Sequence, residues 1–177
     1  MREDPELEAL VRRYAPMVYR LAYARTGRRA DAEDVMQETF LRLVRKKPRF
    51  QSEAHCQAWL LRVAVNCANS MCVKPWRREL PLEEAGIQAG PEPALTGVLE
   101  AVQALPSKYR IPIYLFYYEE RSVAEIAAVL GKKEATVRTW LFRARARLRQ
   151  QLEEEAYGTT GETDTAGPTP GVGRRTT

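Results

Sequence analysis

From Lys132 to Arg149 the chain gathers cationic side chains suited to one kind of chemistry, which is holding an anionic or hydrogen-bonding edge. Arg138, Arg143, Arg145, Arg147 and Arg149 each carry a planar fork that can grip a phosphate, a carboxylate or a guanine edge at two points. Thr139, beside Arg138, can meet a hydrogen-bonding edge or a thymine methyl. The last four arginines alternate, and alternate positions on a helix diverge by about 200°. They cannot all face one partner. Some must hold phosphate, solvate the surface, or balance Glu153, Glu154 and Glu155.

Chemistry of other kinds is poorly supplied. There is one histidine, no phosphate-binding glycine loop and no nucleophile with a base, so the chain does not read as an enzyme. His55 stands beside Cys56, but a metal site would lack further ligands, so neither metal nor cofactor is expected. Cys56, Cys67 and Cys72 are odd in number and lack CxxC spacing, so no disulfide framework follows. Net charge is +5, and two basic blocks flank a stretch at 79–100 with five glutamates and no basic residue. That pattern reads as two modules facing one polyanion. No apolar run reaches membrane-spanning length and the N-terminus is unlike a signal peptide, so a cytoplasmic protein without membrane insertion is expected.

The elements that must position these residues are helices. Strand signals are nearly absent and helical periodicity runs throughout. Pro5 marks a first helix with the stripe Leu7, Leu10, Val11, Tyr14, Val18 and Leu21, broken at Gly27. Asp31 is the expected cap of a second helix, whose stripe is Met36, Phe40, Leu43 and Val44 and which ends before Pro48. After a loop, "RFQSEAHC", a third helix carries Trp59, Leu60, Val63 and Cys67 on one side and stops at Pro75. Four prolines, two glycines and the glutamates then describe a flexible acidic linker at 75–94. A second helical set begins near Leu95, with Val98, Val102 and Leu105 before Pro106. From Tyr157 onward glycine, threonine and proline dominate, so the tail is expected to be disordered.

Ser122 and Glu125 make a capping box that fixes a helix start. Val123, Ile126, Ala127 and Leu130 form its packing face and Gly131 supplies a turn. Val137, Leu141, Ala144, Leu148 and Leu152 then stripe a second helix. Two short helices joined by a glycine turn make a helix-turn-helix, whose second helix would present Arg138 and Thr139 to a major groove. The competing reading is a helical hairpin with a solvated basic face. Lys132 and Lys133 at the turn, and basic residues opposite the core stripe, favour DNA.

Two separated motifs give the chain a resemblance to bacterial extracytoplasmic-function sigma factors of the sigma-70 family. "DAEDVMQETFLRLVRK" (31–46) resembles the family's region 2.2, and "LPSKYRIPIYLFYYEERSVAEIAAVLGKKEATVRTWLFRARARL" (105–148) resembles region 4. With "WLLRVAVN" (59–66) they span most of residues 7–152 in the family's order. The resemblance implies an all-α fold of two small helical domains. Residues 1–74 would be a region 2 domain and 75–94 the linker. Residues 95–155 would be a region 4 helix-turn-helix domain, and 156–177 the tail.

It also implies roles. Asp34, Gln37 and Glu38 match positions that dock on the β′ clamp of RNA polymerase, and their spacing puts them on one face. Phe50, Gln51, Ser52 and His55, with Arg62, Asn66 and Asn69, match the part that captures the opened minus-ten strand. Such capture needs a base pocket over a basic track. Lys132, Lys133, Thr136, Arg138, Thr139, Arg143 and Arg145 match the minus-thirty-five reader. Implied partners are core RNA polymerase (β′ clamp and β flap), promoter DNA and an anti-sigma factor. The expected function is promoter-directed initiation of transcription in response to a signal. The rivals are a helix-turn-helix regulator that binds operator DNA without polymerase, and a sigma-like module that binds polymerase but no promoter.

Overall fold

The computed structural model describes residues 4–73 and 96–158, with side chains in the second segment from 100 to 154. Among the described residues seven helices run in the order α1 (Pro5–Thr26), α2 (Arg29–Lys46), α3 (Glu53–Cys72), α4 (Thr96–Ala104), α5 (Ser107–Tyr117), α6 (Val123–Leu130) and α7 (Glu134–Gly158). The described residues contain no strand, so the fold is all-α as expected. The acidic linker and most of the expected tail lie outside the described residues. α7 itself reaches Gly158, past the expected start of the tail.

Local rules account for most helix ends. The Asp4 side chain accepts from the backbone of Glu6 and Leu7, and Pro5 takes the first turn, where no amide donor is needed. Gly27 closes α1 at φ 69°, donating to the Tyr23 carbonyl. Lys47 closes α2 in the same left-handed conformation at φ 46°. The start of α2 departs from expectation. Arg28 is the capping position and its side chain makes no cap bond, while Asp31 lies one turn inside and pairs with Arg28 at 3.9 Å. Asp31 therefore acts on the helix's positive end through charge. α3 also starts earlier than expected. Ser52 caps it through the His55 amide, so Glu53 to Cys56 are helical rather than loop.

α1, α2 and α3 pack on one another around Val18, Leu21, Phe40, Leu43, Leu60 and Leu61. α2 turns Ala32, Val35, Thr39, Phe40 and Leu43 inward. Met36 is only half-buried and Val44 is exposed, so the true stripe is rotated from the expected one. In the same way α3 buries Cys56, Leu61, Ala64, Val65 and Ala68 beside Leu60 and Cys67, leaving Trp59 and Val63 at the margin. The second group, α4 to α7, buries Leu105, Tyr114, Leu115, Ile126, Val137 and Leu141. The two groups share one continuous apolar cluster, with α1 against α4 and α5, and α3 against α6. Each fully buried leucine or isoleucine contributes about 1.5–3 kcal/mol by leaving water.

Candidate nucleic-acid interface

The α6–α7 hairpin is held by its ends. Ser122 Oγ accepts from the Glu125 amide at 3.2 Å, and the Ser122 amide donates to Glu125 Oε2 at 2.8 Å, completing the capping box. That backbone donor, then the Ser122 hydroxyl, holds the Glu125 carboxyl below its ordinary value. Gly131 turns the chain at φ 63°, donating to the Ala127 carbonyl. A Cβ placed there would meet nothing within 4 Å, so the left-handed backbone, not space, calls for glycine. Inside the hairpin Ile126, Ala127 and Val129 are buried on α6, with Val123 and Leu130 at the margin. On α7 the stripe is Val137, Leu141, Ala144 and half-buried Leu148; Leu152 is 65% exposed and falls outside it.

Opposite that stripe, Arg138 and Thr139 lie exposed at the N-terminal end of α7. Arg138 is tied to Glu134 at 2.9 Å, and the Thr139 hydroxyl donates to the Ala135 carbonyl at 3.0 Å. Both bonds lie within the helix, so the side chains stay at the surface. Lys132 and Lys133 are exposed at the turn and Thr136 is half-buried. Phe142, at 72% exposure, follows Arg138 by one turn on the same face. The sequence reading missed it. Its signal was an aromatic next to, rather than on, the apolar stripe.

The later arginines are largely occupied. Arg145 donates to the Tyr117 hydroxyl at 2.6 Å and lies over the rings of Phe116 and Tyr117, at 5.1 and 5.6 Å. Arg147 lies over Tyr109 at 5.9 Å. Burial pushes the Tyr109 phenol up, but hydrogen bonds from Lys108 and Arg143 outweigh it, and the net shift is downward. Three of the four alternating arginines thus clasp aromatics of α5, while Arg149 is exposed on the outer side.

A second polar face lies on α3. His55, Arg62, Asn66 and Asn69 recur at seven, four and three residues, and all four are exposed. At its N-terminal end Phe50 meets His55 and Trp59 edge to face, at 5.6 and 5.9 Å. The Gln51 amide donates to His55 Nδ1 at 3.3 Å, fixing the ring beside the exposed Ser52 cap. Asn69 accepts from Arg25 at 3.0 Å, and Arg62 donates to the Ala128 carbonyl of α6 at 3.2 Å. An aromatic corner next to exposed amide and cationic groups can hold a base over a phosphate track.

A third face belongs to α2. Asp34 and Gln37 are exposed, and half-exposed Glu38 pairs with Arg42 at 2.8 Å. Leu41, 47% exposed, and Val44 continue this face, which makes it partly apolar as well as acidic. The sequence reading missed Leu41. Among the described residues no cluster of histidine, cysteine or carboxylates could hold a metal ion. Burial pushes the Cys56 and Cys67 thiols above their ordinary value, and no described helix is long and apolar enough to cross a membrane.

Comparison with known proteins places both helical groups. The family model for sigma-70 region 2 matches residues 10–78, and that for sigma-70 region 4 matches residues 95–148. The ECF RNA polymerase sigma factor SigE of Mycolicibacterium smegmatis is 34% identical over 88% of this chain and 65% of its own length. This chain therefore spans just under two thirds of that relative. SigM of Mycobacterium tuberculosis, also an ECF RNA polymerase sigma factor, is 31% identical over 82% of this chain and 76% of its own. Among solved structures, the sigma factor RpoE of Bartonella quintana, crystallised with the anti-sigma factor NepR, superposes with a TM-score of 0.67. It is 25% identical, over 84% of this chain and 95% of that one.

Proposed function

This chain belongs to the sigma-70 family, among its extracytoplasmic-function members, and on that premise we propose that it directs core RNA polymerase to promoters and opens them. The observation that carries the reading is the presence, on one chain and in family order, of two regions that each expose a polar face of the required chemistry. The division of labour follows those regions. Residues 1–74 act as the polymerase-docking and strand-opening unit, 75–94 as the linker and 95–155 as the duplex-reading unit.

In this reading the α2 face of Asp34, Gln37 and Glu38 docks on the β′ clamp, with Leu41 supplying apolar contact at its edge. The region 4 unit rests on the β flap. Phe50, Gln51, Ser52 and His55 receive an extruded minus-ten base, and Arg62, Asn66 and Asn69 follow the strand beyond it. Arg138 and Thr139 read the minus-thirty-five duplex, Phe142 is placed to meet a thymine methyl, and Lys132, Lys133, Thr136 and Arg143 contact the backbone. Arg145 acts mainly by bracing α7 on α5. The chain supplies binding energy and makes no bond itself, so it is an initiation factor and not an enzyme. It works in the cytoplasm, and a partner of the anti-sigma kind restrains it.

Assembly tests the proposal. The chain should co-purify with core polymerase, and reversal of charge by Asp34→Arg with Glu38→Arg should abolish that without altering the chain's helicity. A chain that shifts operator DNA alone and ignores core polymerase would be a regulator instead, a reading that the region 2 match makes unfavourable.

A further inference from the structure

The turn into α3 fixes which nitrogen of His55 carries the ring proton. Ser52 caps the helix, its Oγ accepting from the His55 amide at 3.1 Å. His55 stands at the third helical position, where a glutamate would complete a capping box by reaching back to a backbone amide. The imidazole does the same, but to the residue before the cap: its Nδ1 accepts from the Gln51 amide at 3.3 Å. A ring nitrogen that accepts carries no proton, so the neutral ring holds its proton on the other nitrogen. The bond to Gln51 thus makes Nε2 the donor. Phe50 packs on the imidazole edge to face at 5.6 Å and helps hold it in place. His55 is exposed and no described residue accepts from Nε2, which leaves that donor open to a ligand.

The polar groups around the ring lean the same way. The Ser52 oxygen already accepts, and its hydroxyl proton has no acceptor among the described residues. Glu53 is turned to α1, where Arg13 and the Tyr14 hydroxyl donate to its Oε1, the hydroxyl at 3.2 Å. Its carboxylate is therefore engaged away from the corner. What remains beside the amphoteric Gln51 side chain is a pair of donors, His55 Nε2–H and Ser52 O–H. Thymine, cytosine and guanine each carry a carbonyl oxygen that such donors can meet. Adenine carries none, and its amino group would face donors that stay unpaired.

We propose that His55 selects the base captured at this corner, its Nε2–H donating to a carbonyl oxygen, so that thymine, cytosine or guanine is accepted there and adenine is disfavoured. This rests on the reading of the corner as the receptacle of the extruded minus-ten base, and adds to it the edge that the base must present.

Two measurements on the full chain test the selection. His55 is the single histidine of the chain, so isotope-labelled histidine gives one imidazole to read by NMR. In mildly alkaline buffer a long-range proton–nitrogen spectrum should place the proton on Nε2. A proton on Nδ1 overturns the proposal and leaves the promoter reading standing. In the second measurement the chain, assembled with core polymerase, is offered a pool of single strands randomised over the minus-ten stretch, and the retained strands are sequenced. At one position adenine should be depleted about three- to tenfold against the carbonyl bases, the scale of one hydrogen bond. His55→Phe, which keeps a ring and removes the donor, should abolish that depletion. His55→Glu, which can still accept from Gln51 but offers an acceptor outward, should enrich adenine or cytosine, whose amino groups it can take. Equal adenine content at every position in the strands retained by His55→Phe and by the unaltered chain overturns the proposal. Should the assembled complex retain no strand at all, the promoter reading fails and the proposal falls with it.

Discussion

Side chains of the same type do different work on α7, and their neighbours decide which. Arg138 reaches the surface held, among the described residues, by Glu134, whereas Arg145 is clasped by Phe116 and Tyr117. Arg138→Ala should weaken minus-thirty-five binding by about 1–3 kcal/mol and relax preference at one base position, as read by gel shift against a substituted duplex series. Uniform weakening across the series would reassign Arg138 to phosphate. Arg145→Ala should instead lower the chain's stability by about 0.5–1 kcal/mol, measured by urea unfolding, because an exposed cation over an aromatic face contributes on that scale. Arg149→Ala should leave the unfolding midpoint in place. From sequence, the alternating arginines could be seen to diverge, but not which of them would find Tyr109, Phe116 and Tyr117. Those aromatics stand 28 to 38 residues earlier, and only the packing of α5 on α7 brings them close.

Helix boundaries were legible where the signal is local. The Ser122–Glu125 box and Gly131 act within one turn, so their residues alone locate α6. The Asp31 cap failed for the same kind of reason in reverse. Arg28 and Arg29 already satisfy the extended-then-helical geometry, leaving Asp31 to act inside the first turn. Stripes shifted by one position on α2 and α3, because small residues such as Ala32, Ala64 and Ala68 face inward where helices approach closely. Ser122→Ala should cost about 0.5–2 kcal/mol of stability. The same box carries a pH signature. The folded Glu125 carboxyl lies below its unfolded value of 4.5, so its contribution is present above that value and is lost as pH falls through the lowered one. Glu125→Gln should therefore flatten part of the acid limb of stability, read as the unfolding midpoint between about pH 5 and 3. An unchanged acid limb would mean the box contributes little.

At the level of the whole molecule, the all-α fold and its two helical groups follow from periodicity, while the closure of one group on the other does not. A stripe records that a helix face is buried and says nothing of what covers it. α1 and α3 each pack against helices of both groups, and Arg20 and Arg121 lie largely buried between the units although no local signal in the sequence marks them. The three candidate faces, on α2, α3 and α7, were legible as residue sets because each falls at helical spacing. Leu41 and Phe142 were not, since an exposed apolar residue looks like a core residue until its neighbours are known.

The central claim is that this chain gives core polymerase its promoter. The most direct measurement is run-off transcription from genomic fragments with purified core polymerase, with and without the chain, with start sites mapped. The account predicts discrete starts that appear only with the chain and vanish with Arg138→Ala combined with Arg62→Ala. Starts that are identical without the chain, or no starts while the chain still binds core polymerase, would contradict it.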